Sequence, residues 1–528
     1  MKLQQETIMK RFARITAALL AVILCCSTLA GCGNTQSDET LKFGCINYSD
    51  SLDPSTMTNA AWCTSRYGIG ECLFRFDSEM NANPYLAESC ESDDAHTTWT
   101  VKLRGDVKFS NGDEMTATSV KKSLERMYEN EANGVGSTKP STFMQLDSIT
   151  ADDSAKTVTI KTKKAYADLS KVLAAPYFMI LDVDGTTDMA SDPIGTGPYA
   201  VSKINEGTSI DMTANENYWQ GTVPYKNLQI IFISDNTTKA MSLENGDVDV
   251  VENLTSATDL KKFEESADYN VSQATSVRTG FAYMNQKGVL KNADLRKAII
   301  MAIDDETICT KTVGGMYTAG YSVLPSNLDY GYDNLKDVTP YSVEEAKKTL
   351  DSAGIVDSNG DGYRELDGQE INLQYLTYDS RNLTDFTEAD VAALEDIGIK
   401  CTIQNTDADT EWDKLVSGDY DLLANNWMTV PVGDPQEYLD NWYSKSDANY
   451  CGYSNAEYDT LYEQLEDETD MNTRKEIVEK LQQNIIDNAG ALVFGYYNSN
   501  MVSTKNVKGA DISTADYYWI TYEIKPAA

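Results

Sequence analysis

Apolar residues alternate with others from Leu41 to Ile46, and again from Thr98 to Arg104, where Trp99, Val101 and Leu103 share one face. Period-two runs of this kind predict half-buried strands. Asp106–Gly112 predicts a second strand closing on an Asn111-Gly112 turn. After Thr116 the spacing changes: Val120, Leu124, Met127 and Tyr128 recur at helical intervals. Further on, Ser342-Val343-Glu344-Glu345 predicts a capping box, with Ala346, Leu350 and Ala353 on one face and Gly354 as the stop. A helix over Phe386–Ile397, ended by Gly398, precedes alternating Ile399, Cys401 and Ile403, a helix-then-strand unit of α/β type. Leu422–Ala424 reads as a buried strand that breaks into Asn425, Asn426, Trp427 and Met428. A Gly433-Asp434-Pro435 turn follows, and a helix-like run resumes at Gln436. Loops leaving the end of a central α/β strand are where ligands usually sit.

At 528 residues the chain is too long for one core, so two or three domains are expected. The net charge of −38 argues against nucleic acid and anionic membrane surfaces as partners. At the amino end, Lys10, Arg11 and Arg14 precede a short apolar run, Ile15–Leu24, with the flanks of an export signal. Leu29-Ala30-Gly31-Cys32 resembles the bacterial lipobox, in which the cysteine is lipidated and becomes the first residue of the mature chain. The reading is therefore a signal peptide over 1–31, a lipid anchor at Cys32 and a tether over 32–40. Cys45, Cys63, Cys72, Cys90, Cys309, Cys401 and Cys451 show no CxxC spacing and read mostly as small core hydrophobes, with a Cys63–Cys72 pair left open.

The strings LDP, ECLF, PYLAE, TWTVKLRGDVKFSNGDEMTATSV and SLERM occur in that order. They are followed by Pro193–Tyr199, Asn215–Trp219 (NENYW), Leu243–Asp249, Asp294–Asp304 and Cys451–Tyr458. In order and spacing the chain resembles the extracellular solute-binding proteins of family 5, the dipeptide-, oligopeptide- and nickel-binding lipoproteins of ABC importers. That resemblance implies a two-lobed α/β fold of the type II periplasmic-binding-protein kind, with a subdomain inserted in lobe one. The apolar runs Gly280–Asn285 and Val493–Tyr497 are then the crossings. Lobe one covers 41–280 (insert about 80–195) with a return over 500–528, and lobe two covers 281–499.

The resemblance also implies a function. A short peptide is captured between the lobes and delivered to a membrane permease by a monomeric, lipid-anchored extracytoplasmic receptor. Asp434 is the expected partner of the peptide ammonium and Arg381 of its carboxylate. Asn426, Trp427 and Met428 form an adaptable wall, and Trp62, Arg66 and Tyr67 face the cleft from lobe one. The competing readings are a solvated loop charge for Arg381 and core packing for Trp62 and Tyr67. A metal held in a small organic chelate, with Arg66 and Arg381 making the contacts, or another small organic solute is the alternative ligand.

Catalysis is expected to be absent, because the one histidine, His96, sits in a polar turn and offers no poised base. No cofactor and no protein-ligated metal are expected either. Asp357–Gly362 resembles the start of a calcium loop, but Gly368 stands where a bidentate glutamate belongs, so a tight Asx turn is the better reading.

Overall fold

The computed structural model describes residues 39–527. The export signal, Cys32 and residues 32–38 of the tether lie outside the described residues. Thr40, the last tether residue expected, already opens β1 (Thr40–Cys45), whose Leu41, Phe43 and Cys45 are fully buried. Helix α1 (Thr58–Arg66) follows. A separate four-stranded antiparallel sheet then forms from β2 (Ala87–Ser92), β3 (Thr98–Leu103), β4 (Leu146–Asp152) and β5 (Thr157–Thr162), in the order β2-β3-β5-β4. Helix α2 (Ala117–Ala132) covers it, and the Thr116 hydroxyl caps this helix by accepting from the Ser119 N–H at 3.1 Å. Asp106–Gly112 is not the expected strand. The Phe109 N–H bonds the Asp113 carbonyl and the Ser110 N–H the Gly195 carbonyl, both at 2.9 Å, so its backbone groups serve a tight turn and a distant loop.

The chain then returns to the main sheet through β6 (Tyr199–Asn205), β7 (Ser209–Ala214), β8 (Asn227–Phe232), β9 (Val250–Glu252) and the 16-residue β10 (Tyr269–Met284). Helix α3 (Val343–Ser352) makes half of its predicted capping box. The Ser342 hydroxyl accepts from Glu345 N–H at 3.2 Å, but the Ser342 N–H is already committed to the Met301 carbonyl at 2.8 Å. Strand β11 (Asn372–Tyr378), helix α4 (Leu383–Asp396) and strand β12 (Lys400–Thr406) form the expected α/β unit, with β11 and β12 parallel. The predicted stops Gly354 and Gly398 are both left-handed, at φ 75° and 78°.

Strand β13 (Leu422–Met428) does not break at Asn425. It stays paired with β10 as far as Met428 opposite Arg278. Its inner amides are paid for locally: Asn425 Nδ2 donates to Glu411 Oε1 at 2.9 Å and Asn426 Nδ2 to the Tyr317 hydroxyl at 3.0 Å. After it come the short helix α5 (Gln436–Leu439), the helices α6 (Ala456–Asp467) and α7 (Met471–Asp487), and the 13-residue β14 (Leu492–Thr504).

These strands form one 11-stranded sheet, β12-β11-β13-β10-β14-β9-β1-β8-β7-β6, with Tyr317–Thr318 paired to β14 off that path. Strands β10 and β14 are its long middle members. One half of β10 (Tyr269–Thr275) pairs with Asn498–Thr504, beside β9; the other (Thr279–Ala282) pairs with Leu492–Tyr496 and with β13. The register shifts between Thr275 and Thr279, so Ser276, Val277 and Arg278 bulge from the β14 ladder. We place the division between the lobes at this bulge, slightly before the expected Gly280. One apolar core lies under β1, β7 and β8, a second under β10–β14 and α4, and a third joins the four-stranded sheet to Tyr438, Trp442 and helices α6 and α7.

The carboxyl-terminal segment is fastened to α1. Arg66 Nη2 meets Asp516 Oδ2 at 2.8 Å, its Nε donates to the Asp516 carbonyl at 2.8 Å, and both side chains are almost fully buried. Cys63 and Cys72 are unpaired; the Cys72 thiol donates to the Ala175 carbonyl. At Asp357 the carboxylate accepts from the Gly360 and Gly362 N–H groups, forming the Asx turn.

Two outcomes follow from this packing. Asp516→Asn, which suits the left-handed backbone at that position (φ 55°), leaves Arg66 buried without a counter-charge. It should lower stability by about 3–5 kcal/mol, read as a fall in the urea midpoint at neutral pH; an unchanged midpoint would show that the pair is not the clamp. A Cβ at Gly280 would lie 2.7 Å from Tyr317 Cε1. Gly280→Ala should therefore displace that ring and cost about 1–3 kcal/mol, measurable as a lower melting temperature.

Candidate functional site

Where β10 passes from one lobe to the other, the fold gathers guanidinium groups. Arg278, in the bulge, is 4 % exposed and has Trp62 beneath it, ring centroid 5.4 Å away. Arg66 approaches the same ring at 5.4 Å and lies over Trp519 at 4.4 Å. Arg381, on the loop after β11, sits over Tyr497 at 5.7 Å, and electrostatically it feels Tyr48 and Asp516 across the cleft. Arg381 and Asn382 both have positive φ, 45° and 59°. That loop also reaches the first lobe directly, because Asn382 Nδ2 donates to the Thr255 carbonyl at 3.2 Å.

The charges do not balance. Arg66 is matched by Asp516, and the buried Glu252 by Lys239. No carboxylate among the described residues lies at ion-pair distance from Arg278 or Arg381. Burial, and then the like charge of Arg381, push the Arg278 guanidinium down to about 10, still protonated at neutral pH. Its Nη1 makes only long contacts with Asn426, 3.4 Å to the carbonyl and 3.5 Å to Oδ1. Arg278 Nε and the Tyr497 hydroxyl are buried without a hydrogen-bond partner. Unmatched cations and idle donors that converge in this way have the chemistry an anionic group requires.

The structure sorts the residues expected at the site. Arg381, Trp62 and Asn426 lie in this nest. Trp427 is partly exposed beside Tyr438. Met428 is 6 % exposed, its sulfur accepting from the Tyr517 hydroxyl at 2.8 Å, so it is packed rather than presented as a wall. Arg66 lines the nest with its charge already matched. Tyr67 is a core residue whose hydroxyl lies against the Cys45 thiol, at 3.8 Å, and the Cys63 thiol.

Asp434 lies elsewhere, beside the four-stranded sheet's lobe, and its carboxylate is held by Arg474: Oδ2 takes Nη2 at 2.9 Å and Nε at 3.2 Å. Its other oxygen accepts the Gln436 N–H at 2.9 Å, at the start of α5. Arg278 is the residue that sequence reasoning missed. Its signal was a basic side chain directly before the apolar run of a crossing strand, where a charge has no solvent to face.

No group of three or more His, Cys, Asp or Glu among the described residues could hold a metal ion. No helix among them is long and apolar enough to cross a membrane.

Comparison with known proteins places this geometry. Residues 81–450 match the model of bacterial extracellular solute-binding proteins, family 5. The nickel-binding protein NikA of Staphylococcus aureus is 26 % identical over 97 % of this chain and 99 % of its own length. The oligopeptide-binding protein AppA of Bacillus subtilis is 25 % identical over 89 % and 90 %. The crystal structure of NikA from Brucella suis in complex with Fe(III)-EDTA superposes with a TM-score of 0.83 over 92 % of this chain and 100 % of that one, at 23 % identity. The fold is thus that of a type II periplasmic binding protein. The chain belongs to the family 5 bacterial extracellular solute-binding proteins: it is a substrate-binding protein of an ABC importer and not an enzyme.

Proposed function

We propose that this receptor captures short peptides between its lobes, holding the peptide carboxylate on Arg278 and Arg381, and hands them to a membrane permease. The observation that carries the reading is the pair of unmatched guanidinium groups, Arg278 buried and Arg381 half-buried, with idle donors around them. A peptide carboxylate supplies the missing charge and accepts from several of those donors at once. Trp62 and Trp427 offer partly exposed aromatic faces to the rest of the ligand. In this reading Asp434 fixes the loop before α5 and does not touch the ligand. The lipobox-like LAGC supports attachment to the membrane through Cys32, with the receptor working as a monomer outside the cytoplasm.

A second reading has one observation in its favour. The same nest suits the carboxylates of a metal chelate, and relatives of this chain are named for nickel and oligopeptides alike. Calorimetry separates the two. Trialanine should bind, and its carboxyl-terminal amide should bind about 10- to 100-fold more weakly, as expected for losing charge-assisted hydrogen bonds. Arg278→Gln should erase most of that difference. Equal affinity for acid and amide would overturn the carboxylate assignment, while binding of nickel–histidine chelate with no response to any peptide would favour the chelate.

A further inference from the structure

The arginine nest holds more positive charge than one carboxylate can answer. Asp516 is fully used: one of its oxygens takes Arg66 Nη2 at 2.8 Å and the other takes Trp519 Nε1, also at 2.8 Å. Glu252 is completely buried and is matched by Lys239 Nζ at 3.2 Å. Glu411, 3 % exposed, accepts from Asn425 Nδ2 at 2.9 Å and has no ion pair among the described residues. Burial pushes its carboxyl up to about 7, so at neutral pH it is charged only part of the time.

The phenols supply no charge either. Tyr48, Tyr378 and Tyr497 lie within electrostatic reach of Arg381, and burial pushes each of them up, further from neutral pH. They stay protonated. Two positive charges are therefore left, and they sit on separate elements: Arg278 in the β10 bulge, Arg381 on the loop after β11. Arg278 feels Arg381 as a like charge, so the two are close enough for one ligand end to serve both.

Counting donors and charges separates the ligands that could do so. A carboxylate offers about four lone-pair sites, whereas two guanidinium groups carry about ten N–H donors. Hydrogen bonds within the protein use only Arg278 Nη1, at 3.4 and 3.5 Å to Asn426, and Arg381 Nη1, at 3.3 Å to Ser380 Oγ. Arg381 is half-buried, so a ligand lying on it also removes the solvent its charge relies on. A ligand with one carboxylate leaves a positive charge desolvated and unmatched. Two carboxylates at the same end leave none.

Resting on the peptide reading above, we infer that the receptor selects peptides whose last residue is aspartate or glutamate, the terminal and side-chain carboxylates dividing between Arg278 and Arg381. Such a peptide keeps its ammonium group. It therefore arrives with a single net negative charge, unlike a multiply charged chelate.

The test is calorimetry of the full chain at pH 7.5 with Ala-Ala-Glu, Ala-Ala-Gln and Glu-Ala-Ala. Wild type should bind Ala-Ala-Glu about 10- to 100-fold more tightly than Ala-Ala-Gln, as expected for added charge-assisted hydrogen bonds. Glu-Ala-Ala, an isomer of Ala-Ala-Glu with the same charge, should bind no better than Ala-Ala-Gln. Arg381→Gln should bring the ratio of Ala-Ala-Glu to Ala-Ala-Gln affinity close to one, and Arg381→Lys, which keeps the charge, should retain part of it. A purely structural role for Arg381 would weaken both peptides alike and leave the ratio standing, which overturns the inference. Equal wild-type affinity for Ala-Ala-Glu and Ala-Ala-Gln, or for the two isomers, overturns it as well and leaves the peptide reading in place. If none of the three binds, the peptide reading itself falls and takes the acidic last residue with it.

Discussion

A guanidinium group keeps its proton at every pH the protein meets, so a fold that buries one must find it a counter-charge or leave it waiting for one. Three are gathered at the crossing between the lobes, and one carboxylate, Asp516, is present to meet them. The surroundings soften the imbalance without removing it. Trp62, Trp519 and Tyr497 present ring faces, and Asn426 turns its carbonyl groups toward Arg278. Much of the nearby architecture maintains this state. The bulge in β10 turns Arg278 inward, the Arg66–Asp516 clamp pins the carboxyl terminus beside it, and the Tyr317 hydroxyl ties the Arg381 carbonyl to Asn426.

The two unmatched arginines differ in how they are mounted. Arg278 lies at the register break of a strand that pairs with both halves of the sheet. Arg381 rides on a loop that meets the other side of the cleft through the Asn382–Thr255 bond. Bringing the two together in an interior of low polarity is unfavourable for like charges. A ligand that places a negative group between them removes that repulsion in the closed arrangement and has little to remove in an open one. That differential interaction is what a hinged receptor requires for ligand to shift its equilibrium toward closure.

Local chemistry made the fold legible. The Ser342 cap, the α4 stop at Gly398 and the alternation in β1 and β3 each depend on residues within a few positions of one another. Failures came where partners lie far apart in the chain. The Asp106–Gly112 run alternates well, yet its hydrogen bonds lead to a loop near Gly195. Asp434 in a turn looked available because its partner, Arg474, stands forty positions on, inside a helix. Arg278 escaped notice because a lone charge in a strand ordinarily faces solvent, and a bulge cannot be read from side-chain pattern.

The chain's overall charge bears on which solute suits such a cleft. A net −38 surrounds a positive nest, but at physiological ionic strength fields fade over about 8 Å. The acidic surface therefore does not steer an anion inward from a distance, and a multiply charged anionic chelate must pass acidic walls before any arginine can reach it. A peptide zwitterion faces no such barrier. It approaches nearly neutral as a whole, so the acidic exterior that opposes an anion leaves it unhindered.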